Sequence, residues 1–87
     1  MWTSKDPTEI LDYGIDWVLR LAGDTIVTST WVVPAGITKN SDSSTPSTTT
    51  IWVSGGTSGQ SYPVENRITT AGGRLFVMTS ELIVLER

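Results

Sequence analysis

The chain contains no cysteine and no histidine. Without cysteine nothing staples the fold covalently, and without either residue the Ser-His and Cys-His pairs of nucleophilic catalysis are excluded. A secreted domain of this size commonly carries a disulfide, so the absence favours assembly inside a cell. Charge is scarce as well. Asp, Glu, Lys and Arg make up 17% of the 87 residues, against about a quarter in an average globular chain. Ser, Thr and Gly must therefore form much of the surface. The charge that exists is a net -3, with a pI near 4.6. A phosphate backbone is bound mainly by Lys and Arg, so nucleic acid is not an expected partner. No apolar run approaches the roughly 20 residues of a membrane helix. The opening MWTSKDPTEI lacks the basic and apolar regions of a signal peptide. The expectation is a product made in the cytoplasm with no membrane partner.

What the sequence does have is period-two patterning. From Tyr62 onward, Tyr62, Val64, Asn66, Ile68 and Thr70 fall on one face and Pro63, Glu65, Arg67 and Thr69 on the other, the signature of a half-buried strand. The opening Gly59-x-x-Tyr62-x-Val64 is similar to the entry of the penultimate strand of an immunoglobulin-like sandwich, where a tyrosine hydroxyl bonds back to the upstream loop. Before it, Ile51-Trp52-Val53 ends at Gly55-Gly56, a strong turn signal. Trp17, Val18, Leu19 and Leu21 are dense enough for a helical turn, but residues 11–17 alternate and are read as a strand, because Gly14 in their middle is a poor helix residue by about 1 kcal/mol; one tight turn follows. Asp24 after Gly23 is read as a turn residue.

TIVTSTWVVP is rich in β-branched residues. Val27, Trp31 and Val33 are placed on one face, with Ile26 and Val32 on the other, so both sides are apolar and the strand is expected to be central or covered; Trp31 is assigned to the core. Residues 39–50 are of low complexity and read as a mobile loop or an edge strand, since Pro46 suits an edge. The last strand, residues 75–85, puts Phe76, Met78, Leu82 and Val84 on one side and Leu75, Val77, Ile83 and Leu85 on the other. Six or seven short strands without a convincing helix predict an all-β fold, a small immunoglobulin-like antiparallel β-sandwich. Residues 1–8 are expected to be a polar lead-in and residues 9–87 a single domain, because independent cores below about 100 residues are already marginal.

Chemistry is sought at several places. Ser29, Ser54 and Ser80 lack any base and are read as strand and turn residues. Asp12 and Asp16 have the spacing of a glycosidase pair, which needs carboxylates roughly 5–10 Å apart across a cleft, but read more simply as solvated side chains. Asp12, Asp16, Asp24 and Asp42 are possible calcium donors without the loop spacing that calcium sites use. Gly55-Gly56-Thr57-Ser58-Gly59 has neither the Lys nor the Ser/Thr that a phosphate-cradling loop needs after its last glycine. No catalytic residue, cofactor or metal ligand is assigned. Of the four tryptophans, Trp17 and Trp31 read as core, whereas Trp2 and Trp52 sit among polar residues. Trp52 admits both a core and an interface reading.

A set of segments then carries a family likeness: Lys5-Asp6-Pro7, Leu11-Asp12-Tyr13, Asp16-Trp17, Leu21-Ala22-Gly23-Asp24-Thr25-Ile26, Ser29-Thr30-Trp31-Val32-Val33-Pro34, Trp52-Val53-Ser54-Gly55-Gly56, and Tyr62-x-Val64-x-Asn66-x-Ile68-Thr69-Thr70. Together they resemble small structural proteins of tailed bacteriophages and prophages, including fiber-tail adaptor and virion structural proteins. The resemblance covers residues 5–84. It implies a non-enzymatic virion protein, made in the host cytoplasm, that docks on capsid, neck or tail components in several copies, with capsid decoration and fiber attachment both open. Where that family tends to be polar after Arg74, this chain has Leu75-Phe76-Val77-Met78, either an aggregation liability or a docking surface. Leu75, Val77 and Ile83, with Trp52, are therefore the expected interface of a homo-oligomer or of contacts with other virion proteins. Tyr62, Gly55, Gly56, Asp24 and Trp31 are the expected structural positions. The competing readings are a carbohydrate-binding module stacking sugars on Trp52 and Trp2, with Asn66 or Gln60 as polar contacts, and a small hydrolase.

Overall fold

The computed structural model describes residues 4–86. Trp2, one of the expected sugar platforms, lies outside them. Six strands and one helical turn follow in order: β1 (Leu11–Asp16), α1 (Val18–Leu21), β2 (Ile26–Val32), β3 (Ile37–Ser44), β4 (Thr48–Gly55), β5 (Ser61–Thr70) and β6 (Leu75–Ile83). They form two three-stranded antiparallel sheets of order β1-β4-β3 and β2-β5-β6. The chain is thus an all-β sandwich in which β3–β4 and β5–β6 are hairpins and every other connection crosses between sheets.

Alternation decides what each strand buries. In β5 every second residue from Val64 to Thr70 is buried. Tyr13 and Ile15 of β1, Thr49, Ile51 and Val53 of β4, and Leu82 with Val84 at the end of the chain meet them in one core around Trp17, which is wholly buried. Fully burying a side chain of valine or leucine size is worth roughly 1.5–3 kcal/mol, so these positions carry most of the stabilisation. The helical turn α1 closes over one end. Its Leu21 is buried, and Ala22 adopts a left-handed conformation (φ 49°) that stops the helix.

Two expectations are corrected. β2 is not central: it pairs with β5 alone and forms an edge. Its faces also differ from simple alternation, because the register shifts between Ile26 and Thr28, making Val27 an extra residue. A bulge of this kind rotates the strand locally. Val27 and Val32 consequently face solvent, while Trp31 is buried. The second correction concerns residues 39–50, which are neither loop nor edge alone. Residues up to Ser44 complete β3, residues 45–47 form the hairpin turn, and Thr48 begins β4, the middle strand of its sheet. The turn is held by Thr45, whose N–H donates to the Thr48 carbonyl at 2.9 Å and whose Oγ1 accepts from the Thr48 N–H at 3.0 Å.

The lead-in also enters the sandwich. Lys5 pairs in parallel with Val84: its N–H donates to the Ile83 carbonyl at 2.9 Å and its carbonyl accepts from the Leu85 N–H at 2.8 Å.

Candidate interaction surfaces

The interior contains a polar knot that fixes how the two sheets sit on each other. Asn66 is fully buried. Its Oδ1 accepts from the Trp17 indole at 3.1 Å and from Thr49 Oγ1 at 2.7 Å, while its Nδ2 donates to Ser29 Oγ at 3.0 Å and to the Thr30 carbonyl at 3.1 Å. The Trp17 indole also reaches Thr49 Oγ1 at 3.2 Å. An amide has two acceptor and two donor positions, and all four are used. Satisfied networks of this kind specify one arrangement of a core, because any other leaves buried groups unpaired. Asn66 therefore cannot contact a sugar, which leaves Gln60 as the polar contact named by the carbohydrate reading. The sequence shows Asn66 in phase with the core residues, but the partners Thr49 and Ser29 lie in segments whose placement depends on tertiary pairing.

The outward face of the β1-β4-β3 sheet is polar. Trp52 lies opposite Asp12 on one side and Ser41 on the other, and it is 41% exposed, so the core alternative for this residue does not hold. Around it are Asp16, Gly14, Thr50 and Ser43 in the same outward rows. Asp12 and Asp16 are both exposed on the strand, with the exposed Gly14 between them. Asp42 pairs instead with Lys39 at 3.5 Å, and Asp24 belongs to the far turn. Among the described residues no group of three or more His, Cys, Asp or Glu gathers as a metal site.

The outward face of the β2-β5-β6 sheet differs. Its rows run Thr28, Thr69, Leu75, then Thr30, Arg67, Val77, then Val32, Glu65, Thr79, then Pro63 and Glu81, and finally Ser61 and Ile83. Leu75 is 63% and Val77 44% exposed. Ile83 is six residues beyond Val77, roughly 20 Å along the strand, with Thr79 and Glu81 between. The four expected interface residues thus do not form one patch. Leu75 and Val77 adjoin, Ile83 stands apart at the other end of β6, and Trp52 is on the opposite sheet.

The two ends are braced by different chemistry. At one, Tyr62 Oη accepts from the Thr57 N–H at 2.9 Å, and its ring lies so close to Gly36 that a Cβ there would approach to 3.0 Å. Gly55 and Gly56 follow with φ of 84° and 96°. At Gly56 a Cβ would come within 2.6 Å of Val84, so both conformation and space demand glycine. Lys5 is buried beside them, its Nζ donating to the Gly55 carbonyl at 2.7 Å and the Asp6 carbonyl at 2.8 Å. Burial lowers the Lys5 pKa, and the charges of Glu9 and Asp6 oppose that shift.

At the other end Asp24 Oδ1 accepts from the Thr25 N–H at 2.8 Å and the Gly72 N–H at 3.0 Å. The hydroxyl of Thr70, these two N–H groups and the charge of Arg74 hold its pKa below the ordinary aspartate value. Asp24 is therefore a clasp between its own turn and the β5–β6 hairpin. Beside it Arg20 lies 5.1 Å over the ring of Phe76, which stacks on Trp17.

A family model described as podophage GP4 fiber-tail adaptor protein gp77 matches residues 5–84. Its first and last matched residues, Lys5 and Val84, are the pair that joins the two ends of the chain. No curated protein matches the chain.

Proposed function

The chain belongs to the podophage fiber-tail adaptor family, and from that premise we propose that it is a non-enzymatic virion component joining a fiber to the tail through protein-protein contacts. The observation that carries this reading is the family match over residues 5–84. The surfaces agree with it: the sheets expose Ser, Thr and scattered apolar side chains, and rigid braces at both ends suit a part that must present fixed faces. Contacts are assigned to Leu75 and Val77, with Ile83 and Trp52 as separate contact points for other partners. A few buried residues, most often Trp, Tyr and Arg, dominate the energetics of such contacts.

The sandwich is read as immunoglobulin-like. Its sheet orders β1-β4-β3 and β2-β5-β6 have the form of the B-E-D and C-F-G sheets of that fold, with Tyr62 at the start of the F position and Trp31 on the C position. Lys5 beside Val84 stands where a short first strand would run along the last one.

Phage particles lacking this chain test the function. They should assemble heads and tails and lack fibers, and restoring the chain should restore fiber occupancy. Full fiber occupancy in its absence overturns the adaptor role. A second reading is favoured by Trp52, a lone exposed aromatic on a Ser/Thr/Asp face: stacking against a sugar. Tryptophan fluorescence that stays unchanged across bacterial surface glycans removes it.

A further inference from the structure

The end of the last strand is held from two sides by unlike material. On one side the Val84 N–H donates to the Gln60 carbonyl at 3.0 Å and the Val84 carbonyl accepts from the Gly59 N–H at 2.8 Å. The Val84 side chain is fully buried in the core and packs against Gly56. Val84 thus belongs to the body of the sandwich. On the other side the Ile83 carbonyl and the Leu85 N–H turn outward and bond only the backbone of Lys5 among the backbone bonds between segments. That side is made by the lead-in.

The lead-in is polar and largely self-contained. Of residues 4–10 only Lys5 is buried, and the one large aliphatic side chain, Ile10, is 57% exposed. Apolar burial, the main driving force for keeping a segment in place, is confined to half-buried Pro7 and the methylene stem of Lys5. The segment also carries its own turn. The Asp6 N–H donates to Glu9 Oε1 at 2.8 Å, the Glu9 N–H donates to the Asp6 carbonyl at 3.0 Å, and Asp6 Oδ1 accepts from the Thr8 N–H at 2.9 Å. These are reciprocal bonds of the capping-box kind, and none of them depends on the sheets.

Lys5 is the exception, because its Nζ donates to the Gly55 carbonyl of β4 at 2.7 Å as well as to the Asp6 carbonyl. The charges that favour its ammonium, those of Glu9 and Asp6, both lie in the lead-in itself. Withdrawing Lys5 therefore separates no ion pair between lead-in and body.

We propose that residues 4–9 are a strap that swings away from the sandwich as one unit about Ile10, with Lys5 as its latch, while the six strands stay folded. This goes beyond the adaptor reading, since it concerns a movement of the chain and not what the chain holds. Local openings of this kind draw on segments with few buried apolar contacts. Closed, the strap covers the Ile83 carbonyl and the Leu85 N–H. Open, it adds both groups to the outer edge of β6, so the strap sets how much of that edge is covered.

Native-state hydrogen exchange on the full chain tests this, because Val84 and Leu85 are neighbours whose amides report on opposite sides. After correction for intrinsic rates, the Leu85 amide should exchange at least roughly tenfold faster than that of Val84. The Lys5 amide should match Leu85, since one opening breaks both bonds. Both should respond weakly to low denaturant, as little surface is exposed. Lys5→Ala should speed Leu85 at least roughly tenfold more, with Val84 and the denaturant midpoint close to wild type. Equal protection of Leu85 and Val84 in the wild type overturns the strap, as does a Lys5 amide that does not follow Leu85. A Lys5→Ala chain that leaves Leu85 unchanged removes the latch. One that unfolds, or that speeds Val84 as much as Leu85, shows the lead-in to be an integral strand and overturns the proposal too.

Discussion

The edges of β3 and β6 can be set side by side because each is an edge strand joined by a hairpin to the middle strand of its sheet, and the two are nearly equal in length, eight and nine residues. β3 is serine-rich, bulged at Asn40, and carries Lys39 and Asp42 toward the side where a core would be. Ser54 Oγ donates to the Asn40 side chain at 2.8 Å and so ties the extra residue down. β6 is unbulged, with Leu75, Phe76, Val77 and Met78 at its start. A sheet edge is adhesive by default, since its backbone groups are unpaired. The Ser/Thr-rich segment, which has no chemistry of its own, is therefore informative: it closes one edge, and this leaves the apolar start of β6 as the exception.

The comparison presumes that the two sheets form one body, and the largest expected effect comes from breaking that. Asn66→Ala strands the Thr30 carbonyl and Ser29 hydroxyl and removes the acceptor shared by Trp17 and Thr49. A buried group left without its partner costs about 1–3 kcal/mol, so the variant should lose about 2–4 kcal/mol in a denaturant titration. A midpoint within error of wild type would show that the sheets are held by apolar packing alone. Next in size is Tyr62→Phe. It deletes the acceptor of the Thr57 N–H while keeping the ring against Gly36, and should lose about 0.5–1.5 kcal/mol, the net value of one hydrogen bond. The loss should appear as a lower denaturant midpoint with an unchanged slope.

Much of this body is legible in the sequence, and the rest fails for identifiable reasons. The faces of β5 and β6 follow from period two because both run without a bulge. Val27 defeats the same rule since one extra residue moves everything before it to the other face, and nothing in TIVTSTWVVP marks where the extra residue falls. Thr49 is unreadable for a different reason. The residues before it are all Ser, Thr and Pro, and only pairing with β1 and β3 makes it a buried position near the start of the middle strand. The apolar outer residues of β6 are visible, but their separation into Leu75 with Val77 and a distant Ile83, and the placing of Trp52 on the opposite sheet, depend on topology. Lys5 is the sharpest miss, since a lysine in a polar lead-in gives no sign that its ammonium will be buried against the carbonyl of Gly55.

The β3 side of the comparison can be inverted directly. Lys39→Val with Asp42→Val removes the inward charges while the bulge and the Ser54 bond remain. Their ion pair is exposed, and such pairs contribute about 0–1 kcal/mol, so thermal stability should change little. Solubility should fall, with light scattering reporting aggregates that the wild type does not form at the same concentration. If the double variant stays as soluble as wild type, the bulge alone guards this edge.

The smallest effect is expected at the root of the β6 edge, where Asp24 clasps the turn leading into Leu75. Its carboxylate takes hydrogen bonds from Thr70, Thr25 and Gly72, and these, with Arg74, lower its pKa in the folded chain. A carboxyl whose pKa falls on folding adds stability above its unfolded value, about 3.9. That contribution fades as the pH drops through the lower folded value, because the unfolded chain takes up the proton first. Asp24 is solvent-accessible, so screening keeps the effect small. Asp24→Asn should therefore be slightly less stable than wild type at pH 7, with the gap closing below about pH 4. Hydrogen exchange should locate the loss: the amides of Gly72 and Ala71 should exchange faster in the variant while those of β3 are untouched. An equal acceleration in both hairpins would mean that Asp24 supports the whole sandwich and not the root of one edge.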